Sequence, residues 1–496
     1  MRRLTATRIS PGAETCIVVG ELGEPPPIDL RSFRSVLWFT RHGGARPAPH
    51  VSVEAVEPAH LQHTAASLDA FIRRDALRLP SIYVTDEVNG AAAPSFLPVI
   101  DTIFEQFESH QRARTTRQKD SFTWQKHLLT NLPAYARRRV PPEWAGALAG
   151  QPAFICGAGP SLDASIHALK KAAGHAVVFA ADSALRALGR AGVTADFVLS
   201  VDAGKSPAKC LPPEVPLPGR VVLAGVSPPA WTSAVPVKRL FFLSGRQITD
   251  DWLAALGIAR TAIRVEENCG ITALALALHL GCGPIFLFGM DHAVDSHEPT
   301  RWHEGQGDIA ADEQDGLTGR SPPKVPGNYQ EEIATPLFHE WKALDEMCFT
   351  QPEHVISNVT DRGARFRNTT VVRPDAFTAP GTSALKSTGL ATLAQPAPLD
   401  DAAAAQLAAA LCDTAHRAGP MLAAARSALA KGQISQVVQA LACAFRDRDI
   451  GRLFGNFGLK VMPHLVQAGT TDPAIWPQIL DECEALLALV CYASPD

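Results

Sequence analysis

No two cysteines in this chain fall at CxxC spacing, although ten are scattered from Cys16 to Cys491. That argues against a disulfide framework and against a cysteine zinc site, and leaves reduced, mostly buried thiols. A basic excess is missing too. The formal net charge of -4 argues against a bulk electrostatic grip on nucleic acid, although a small anionic ligand needs only a local site. The opening "MRRLTATRIS" has no apolar h-region, so no signal peptide is expected. Nor is there an unbroken apolar run of membrane length. The nearest, "CGITALALALHLGCGPIFLFG", is punctuated by Gly281, Gly283 and Pro284 and reads as a helix of about ten residues followed by a short strand. No repeat of clear period is visible. A cytoplasmic protein with no transmembrane segment is the expectation.

What is present is the composition of a soluble globular protein, 46% hydrophobic and 19% charged over 496 residues. Two or three domains are expected at that length. Residues 1–115 mix short strand-like runs ("SVLWFT", "SIYVT") with a helical segment, an N-terminal α+β domain without a catalytic motif. "TWQKHLLTNLPAYARRR" then reads as an amphipathic helix with Trp124, His127, Leu128 and Leu132 at helical spacing. From about residue 150 short apolar runs alternate with helical segments: "AFIC", "AVVFAA", "FVLSV", "RVVLAG", "RLFFLS" and "PIFLF" are the strands. This alternation predicts an α/β core, an open and mostly parallel sheet covered by helices, within a domain of residues 116–372. Residues 373–398, rich in Pro, Ser, Thr, Gly and Ala, read as a linker or extended surface segment. Residues 399–496 read as a C-terminal helical domain of four or five helices.

Open parallel sheets bind ligands beyond the carboxyl ends of their strands, and the motifs fall there. In "FICGAGPSLD", Gly157 and Gly159 end a strand and open a helix. Pro160 suits a first helical turn, and the amides beyond it, with the Ser161 hydroxyl, make an anion site at the positive end of the helix. A phosphate fits; a turn without a ligand is the alternative. The third glycine of the dinucleotide pattern would fall at Leu162, and the P-loop lysine is missing. Asp182 and Ser183 end the second strand, as a ribose-binding acid or as a helix N-cap. Asp202 ends the third, as a ligand or metal contact or a loop cap.

At this point the chain resembles a known family. "FICGAGPSLD", "VVFAADSALRAL" and "ADFVLSVD", then "NCGITALALALHLGCGPIFLFGMDHAV" and "HVISNVTDRGARF", resemble the family joining bacterial motility-associated flagellin glycosyltransferases to archaeal hydroxymethylpterin diphosphokinases. The fourth segment is also similar to bacterial sialyltransferases that use CMP-sialic acid. The resemblance covers about residues 120–370. It implies a Rossmann-like, sialyltransferase-like core in which Gly157, Gly159 and Ser161 hold a donor nucleotide and Asp182 and Ser183 lie near its ribose or base. Gly270 and Thr272 would then lie at a second helix start near the phosphate or sugar carboxylate. Cys269 departs from the small polar or glycine residue usual there.

The segment "GMDHAVDSHEPTRWHEGQGD" gathers His292, His297 and His303 beside Asp291, Asp295, Glu298, Glu304 and Asp308. Transfer of a sugar to a hydroxyl needs a base that works near neutral pH, which suits histidine. His303 is the first candidate, His292 the second, with Asp291 beside them; Arg301 or a protonated histidine would stabilise the leaving phosphate. A metal cluster and a solvated loop are the rival readings. The polar stretch from residue 311 to 333 reads as a lid or as a surface insertion, and Asn328, Tyr329 and Thr335 are candidate acceptor contacts.

The function these readings point to is transfer of a nonulosonic acid (sialic, pseudaminic or legionaminic type) from a CMP donor to a hydroxyl of a surface protein such as flagellin, or of a glycan. The partners expected are a nucleotide sugar and that acceptor. One alternative is ATP- and Mg²⁺-dependent pyrophosphoryl transfer to a hydroxymethylpterin, with Asp182 and Asp202 as metal ligands. The others are a nucleotide-sugar-binding protein without catalysis and an NAD-dependent redox enzyme.

Overall fold

The computed structural model describes residues 13–493 apart from 22–27, 57–63, 65–66, 69–70, 73–78, 86–87, 89–92, 246, 264, 267, 295–322, 382–385, 397 and 467–470; side chains are not described at 93–94, 98, 104–105, 108–118, 387 and 492–493. The chain divides into two compact units, Met1–Phe122 with Ala418–Glu484, and Thr123–Arg417 with Ala485–Asp496. A helix, Ala93–Arg137, runs through the first boundary.

In the first unit β1 (Thr15–Val19), β2 (Ser35–Thr40), β3 (Val51–Ala55) and β4 (Ser81–Val84) form a sheet of order β3-β2-β1-β4. The region expected as mixed α+β thus carries a sheet whose strands all run parallel. Successive residues alternate between its faces. Ile17, Val19, Leu37 and Phe39 pack with Phe96, Ile100 and Ile103 of the long helix, while Cys16, Val18, Val36 and Trp38 pack on the other side. The C-terminal part of this unit is helical, with Ile434–Arg446, Arg448–Leu453 and Gly455–Val466. A half-buried ion pair of Lys460 with Glu482, at 2.6 Å, joins two of its helices.

The second unit is built on eight parallel strands. They are β5 (Ala153–Cys156), β6 (Val177–Ala181), β7 (Phe197–Ser200), β8 (Arg220–Ala224), β9 (Leu240–Leu243), β10 (Ile285–Phe288), then, beyond a small hairpin of β11 (Lys324–Pro326) and β12 (Glu332–Ala334), β13 (Ile356–Val359) and β14 (Thr369–Val372). The order is β14-β13-β10-β5-β6-β7-β8-β9. Each short apolar run singled out as a strand beyond residue 150 is one of these strands. They read as continuous apolar runs because helices cover both faces.

The core is aromatic as well as aliphatic. Phe179 and Phe197 stack at 4.7 Å, and Trp144 lies 4.7 Å from Phe241, contacts worth about 1 kcal/mol each beyond their burial. The apolar stretch read as a broken membrane candidate is indeed a helix, Cys269–His279, followed by β10. Among the described residues no helix is long and apolar enough to cross a membrane. The stretch read as a linker or surface segment is held on the sheet. Phe377 packs edge-on against Phe154, Phe286 and Phe288, and Lys386 pairs with Asp196 at 2.8 Å.

This order positions the site. β5 to β9 are laid down one after another on one flank of β5, and the chain then returns to place β10 on the other flank, with Phe288 opposite Cys156. Reversal of the strand order makes the carboxyl ends of β5 and β10 the topological switch point, the place where open parallel sheets bind ligands.

Candidate functional site

The glycines of the first motif lie at this switch point, and their neighbours explain them. A Cβ on Gly157 would overlap Gly289 O and Met290 Sδ, and one on Gly159 would lie 2.5 Å from Asp291 Oδ2. Gly159 N–H donates to Gly289 O at 2.8 Å. Gly289 itself has φ +63 and faces Gly157 O, a conformation that costs a side-chain-bearing residue strain. The two loops interlock backbone to backbone, which only glycine allows.

Interlocking brings Asp291 to the start of the helix Ser161–Ala172. Its Oδ2 accepts the Ser161 N–H at 2.8 Å, so the helix start expected to hold a phosphate receives the chain's own carboxylate. Charge and dipole match as they would for a phosphate. Asp291 is buried, which raises its pKa, against the hydrogen bonding from Ser161. Pro160 is the residue before this helix, without a side-chain cap.

His292 follows in the left-handed region, φ +46. Its Nδ1 lies 3.3 Å from Met290 O and its Nε2 3.2 Å from Asn268 Nδ2. A carbonyl only accepts and an amide nitrogen only donates, so Nδ1 carries the hydrogen and Nε2 accepts. Burial pushes its pKa down to about 4. The ring is neutral with both nitrogens engaged, and its backbone carbonyl accepts from Thr335 Oγ1 at 2.6 Å. His303, the first candidate base, lies outside the described residues, as do Asp295, His297, Glu298, Arg301, Glu304 and Asp308.

Moving outward from β5, the end of β6 holds Asp182 and Ser183. Asp182 is 1% exposed. Its Oδ1 accepts from Ser183 N–H at 2.7 Å and its Oδ2 from Ser200 Oγ at 2.7 Å. Burial pushes its pKa up to about 6, and the nearby Asp202 adds to the rise while Lys205 opposes it. Asp202, at the end of β7, is exposed and accepts Gly204 N–H at 2.8 Å. Lys205, which the sequence reading passed over, is buried beside them; its signal was a lysine three residues past the strand-end aspartate.

The second helix start also lies here. Asn268 caps Cys269–His279 by accepting Ile271 N–H at 2.9 Å. Gly270 packs against Met290. Thr272 is fully buried, its hydroxyl donating to Asn268 O at 2.7 Å and accepting Glu266 N–H at 3.1 Å, so it shapes the turn. Cys269 Sγ accepts Val201 N–H at 3.4 Å, and burial keeps the thiol protonated.

Asn328, Tyr329 and Thr335 tie the hairpin down. Asn328 Nδ2 donates to Arg362 O and Ala364 O at 2.8 and 3.0 Å, and Tyr329 OH to Thr360 O at 2.8 Å. The loop after β13 adds a cation missed in the sequence, Arg362, paired with Asp361 at 3.1 Å and partly offsetting the rise that burial and Asp361 give the Asp291 pKa.

A parallel sheet wound in both directions from β5, with polar side chains along its strand ends, defines a protein of the open α/β class. Residues 126–297 match the sequence profile of the family described as 6-hydroxymethylpterin diphosphokinase MptE-like. Among solved structures the chain is similar to a MAf glycosyltransferase from Magnetospirillum magneticum AMB-1, with a TM-score of 0.56 and 15% identity over 97% of this chain and 79% of that one. No curated protein sequence matches it. At that identity the structural likeness is one of fold. Profile and fold together support the resemblance drawn from the glycine, Asp182 and Asp291 motifs.

Proposed function

We propose that the protein is a glycosyltransferase that moves a nonulosonic acid from a CMP donor to a hydroxyl of a surface protein such as flagellin, or of a glycan. The observation that carries this reading is the row of polar side chains at the carboxyl ends of β5, β6 and β7, which starts at the switch point between β5 and β10. Such switch points take nucleotides. The fold likeness to a glycosyltransferase over nearly the whole chain supports it.

In this reading Gly157, Gly159 and Pro160 form the floor of the donor site. Asp182 and Ser183 flank the ribose or base, with Asp202 at the rim. Because Asp291 already receives the Ser161 N–H, the donor phosphate is assigned to the other helix start, at Cys269 and Gly270, where the Asn268 side chain accepts the Ile271 N–H and its carbonyl the Thr272 N–H. Lys205 supplies positive charge near Asp182.

Pyrophosphoryl transfer to a hydroxymethylpterin is the second reading, favoured by the profile match over residues 126–297. It would place Mg²⁺ at Asp182 and Asp202. Asp182 spends both oxygens on Ser183 and Ser200, so a metal there would have to displace those bonds.

Thermal unfolding with CMP, CDP, ATP plus Mg²⁺, and NAD separates these readings. A ligand at a hundred times its dissociation constant adds about 2.7 kcal/mol to the folded state. The expected result is a raised midpoint with CMP or CDP. A rise confined to ATP plus Mg²⁺ transfers the conclusion to the second reading.

A further inference from the structure

Sugar transfer needs a base for the incoming hydroxyl, and His292 has both ring nitrogens engaged. Another histidine stands at the end of β8. His127 lies on the helix Ala93–Arg137, one turn before Asn131, and the two hold three consecutive backbone carbonyls. Asn131 Nδ2 donates to Gly225 O at 2.9 Å and Ser227 O at 2.8 Å, and His127 Nδ1 lies 3.0 Å from Val226 O between them. The carbonyl only accepts, so Nδ1 carries the hydrogen and Nε2 presents its lone pair. Among the described residues Nε2 has no partner. The ring is half-buried, and burial lowers its pKa, with the Lys126 ammonium adding to the effect against the Val226 bond. It is therefore neutral near pH 7.

Its place along the row is also suitable. β8 is the third strand out from β5. Neighbouring strands lie about 4.8 Å apart, which puts the end of β8 roughly 14 Å from the switch point. A nucleotide seated over β5 and β6 would extend its sugar over β7 toward that end. His127 was read in the sequence as part of an amphipathic stripe, and nothing in the proposed donor site uses it.

We propose that His127 is the base that takes the proton of the acceptor hydroxyl. The inference rests on the glycosyl-transfer reading. The acceptor O–H bond breaks toward His127 Nε2 as the acceptor oxygen bonds to the anomeric carbon. The bond from that carbon to the phosphate oxygen breaks, and its electron pair leaves with CMP. The imidazolium then gives its proton to solvent.

The test uses the full chain with CMP-activated N-acetylneuraminic, pseudaminic and legionaminic acids, water serving as acceptor, and follows CMP release. In His127→Gln we expect kcat to fall about a hundredfold or more, with CMP affinity and thermal midpoint retained. The acid limb of the pH–rate profile should vanish, and added imidazole should restore part of the rate to His127→Ala. A His127→Gln protein with the wild-type rate and pH profile overturns the inference and leaves the transfer reading standing. Loss of CMP binding and midpoint together in that variant marks a merely structural histidine and also overturns it. Wild-type protein that binds no CMP and releases none from any donor overturns both.

Discussion

The ends of β10 and β8 each present a histidine whose Nδ1 faces a backbone carbonyl, His292 on Met290 O and His127 on Val226 O. The resemblance stops there. At the end of β10 the polar groups meet one another: Nε2 accepts from Asn268, Asp291 receives the Ser161 N–H, and the glycine loops close on each other. At the end of β8 the carbonyls are engaged, but the second ring nitrogen has no partner among the described residues. Fixing a tautomer is therefore common to both histidines. What separates a structural ring from a reactive one is the second nitrogen and the water it can meet. The two ionisable members of the histidine-rich run that the structure describes, Asp291 and His292, lock a turn.

If the end of β10 is a closed structural knot, the largest effect should come from opening it. Gly289→Ala forces a Cβ onto Gly157 O and Leu162, at 2.5 and 2.9 Å, in a backbone with φ +63. A loss of about 3 kcal/mol in urea unfolding is expected; a loss below about 1 kcal/mol would break the comparison.

A second effect is pH-dependent. The folded pKa of His292 lies at about 4, below its usual 6.5, so the unfolded chain takes up a proton that the folded one refuses. The stability contributed by the neutral ring is fully present above pH 6.5 and is lost as pH falls toward 4. Asn tolerates the left-handed backbone. Between pH 7 and pH 5, wild-type protein should lose about 2 kcal/mol more than His292→Asn. Asp182 and Asp250, both pushed up to about 6 by burial, act in the opposite direction, lowering stability as pH rises from about 4 to 6. They are common to both proteins and cancel in the difference. Parallel curves for the two proteins would show that His292 is not held neutral.

The smallest effect should come from the support around the knot. Thr335 Oγ1 donates to His292 O and accepts Leu337 N–H at 3.0 Å. Thr335→Val should cost about 1 kcal/mol, measured by the same unfolding. A cost several times larger would mean that the hairpin, and not the glycine interlock, holds the end of β10.

Much of this was legible from residue order. Buried parallel strands are short apolar runs, and "AFIC", "AVVFA" and "IFLF" announce themselves because both faces are covered. The helix "SLDASIHALKKA" is bounded by its proline and its alternation of apolar and charged positions. The loops that would carry function were legible too, since Gly-Pro and Asp-Ser punctuate the ends of β5 and β6.

Pairing between distant parts was not written in any local pattern. Nothing in "GAGPSLD" reveals that Asp291, 130 positions away, would take the Ser161 amide. Likewise nothing in "TWQKHLLTN" reveals that Val226, 99 positions away, would orient His127. Local propensity and periodicity decide which segments become strands, helices and turns, because these depend on neighbours within a few residues. Only the strand order, which sets β10 beside β5 and folds the long helix over β8, decided which of the candidate groups are consumed by the fold and which ring nitrogen has no partner among the described residues.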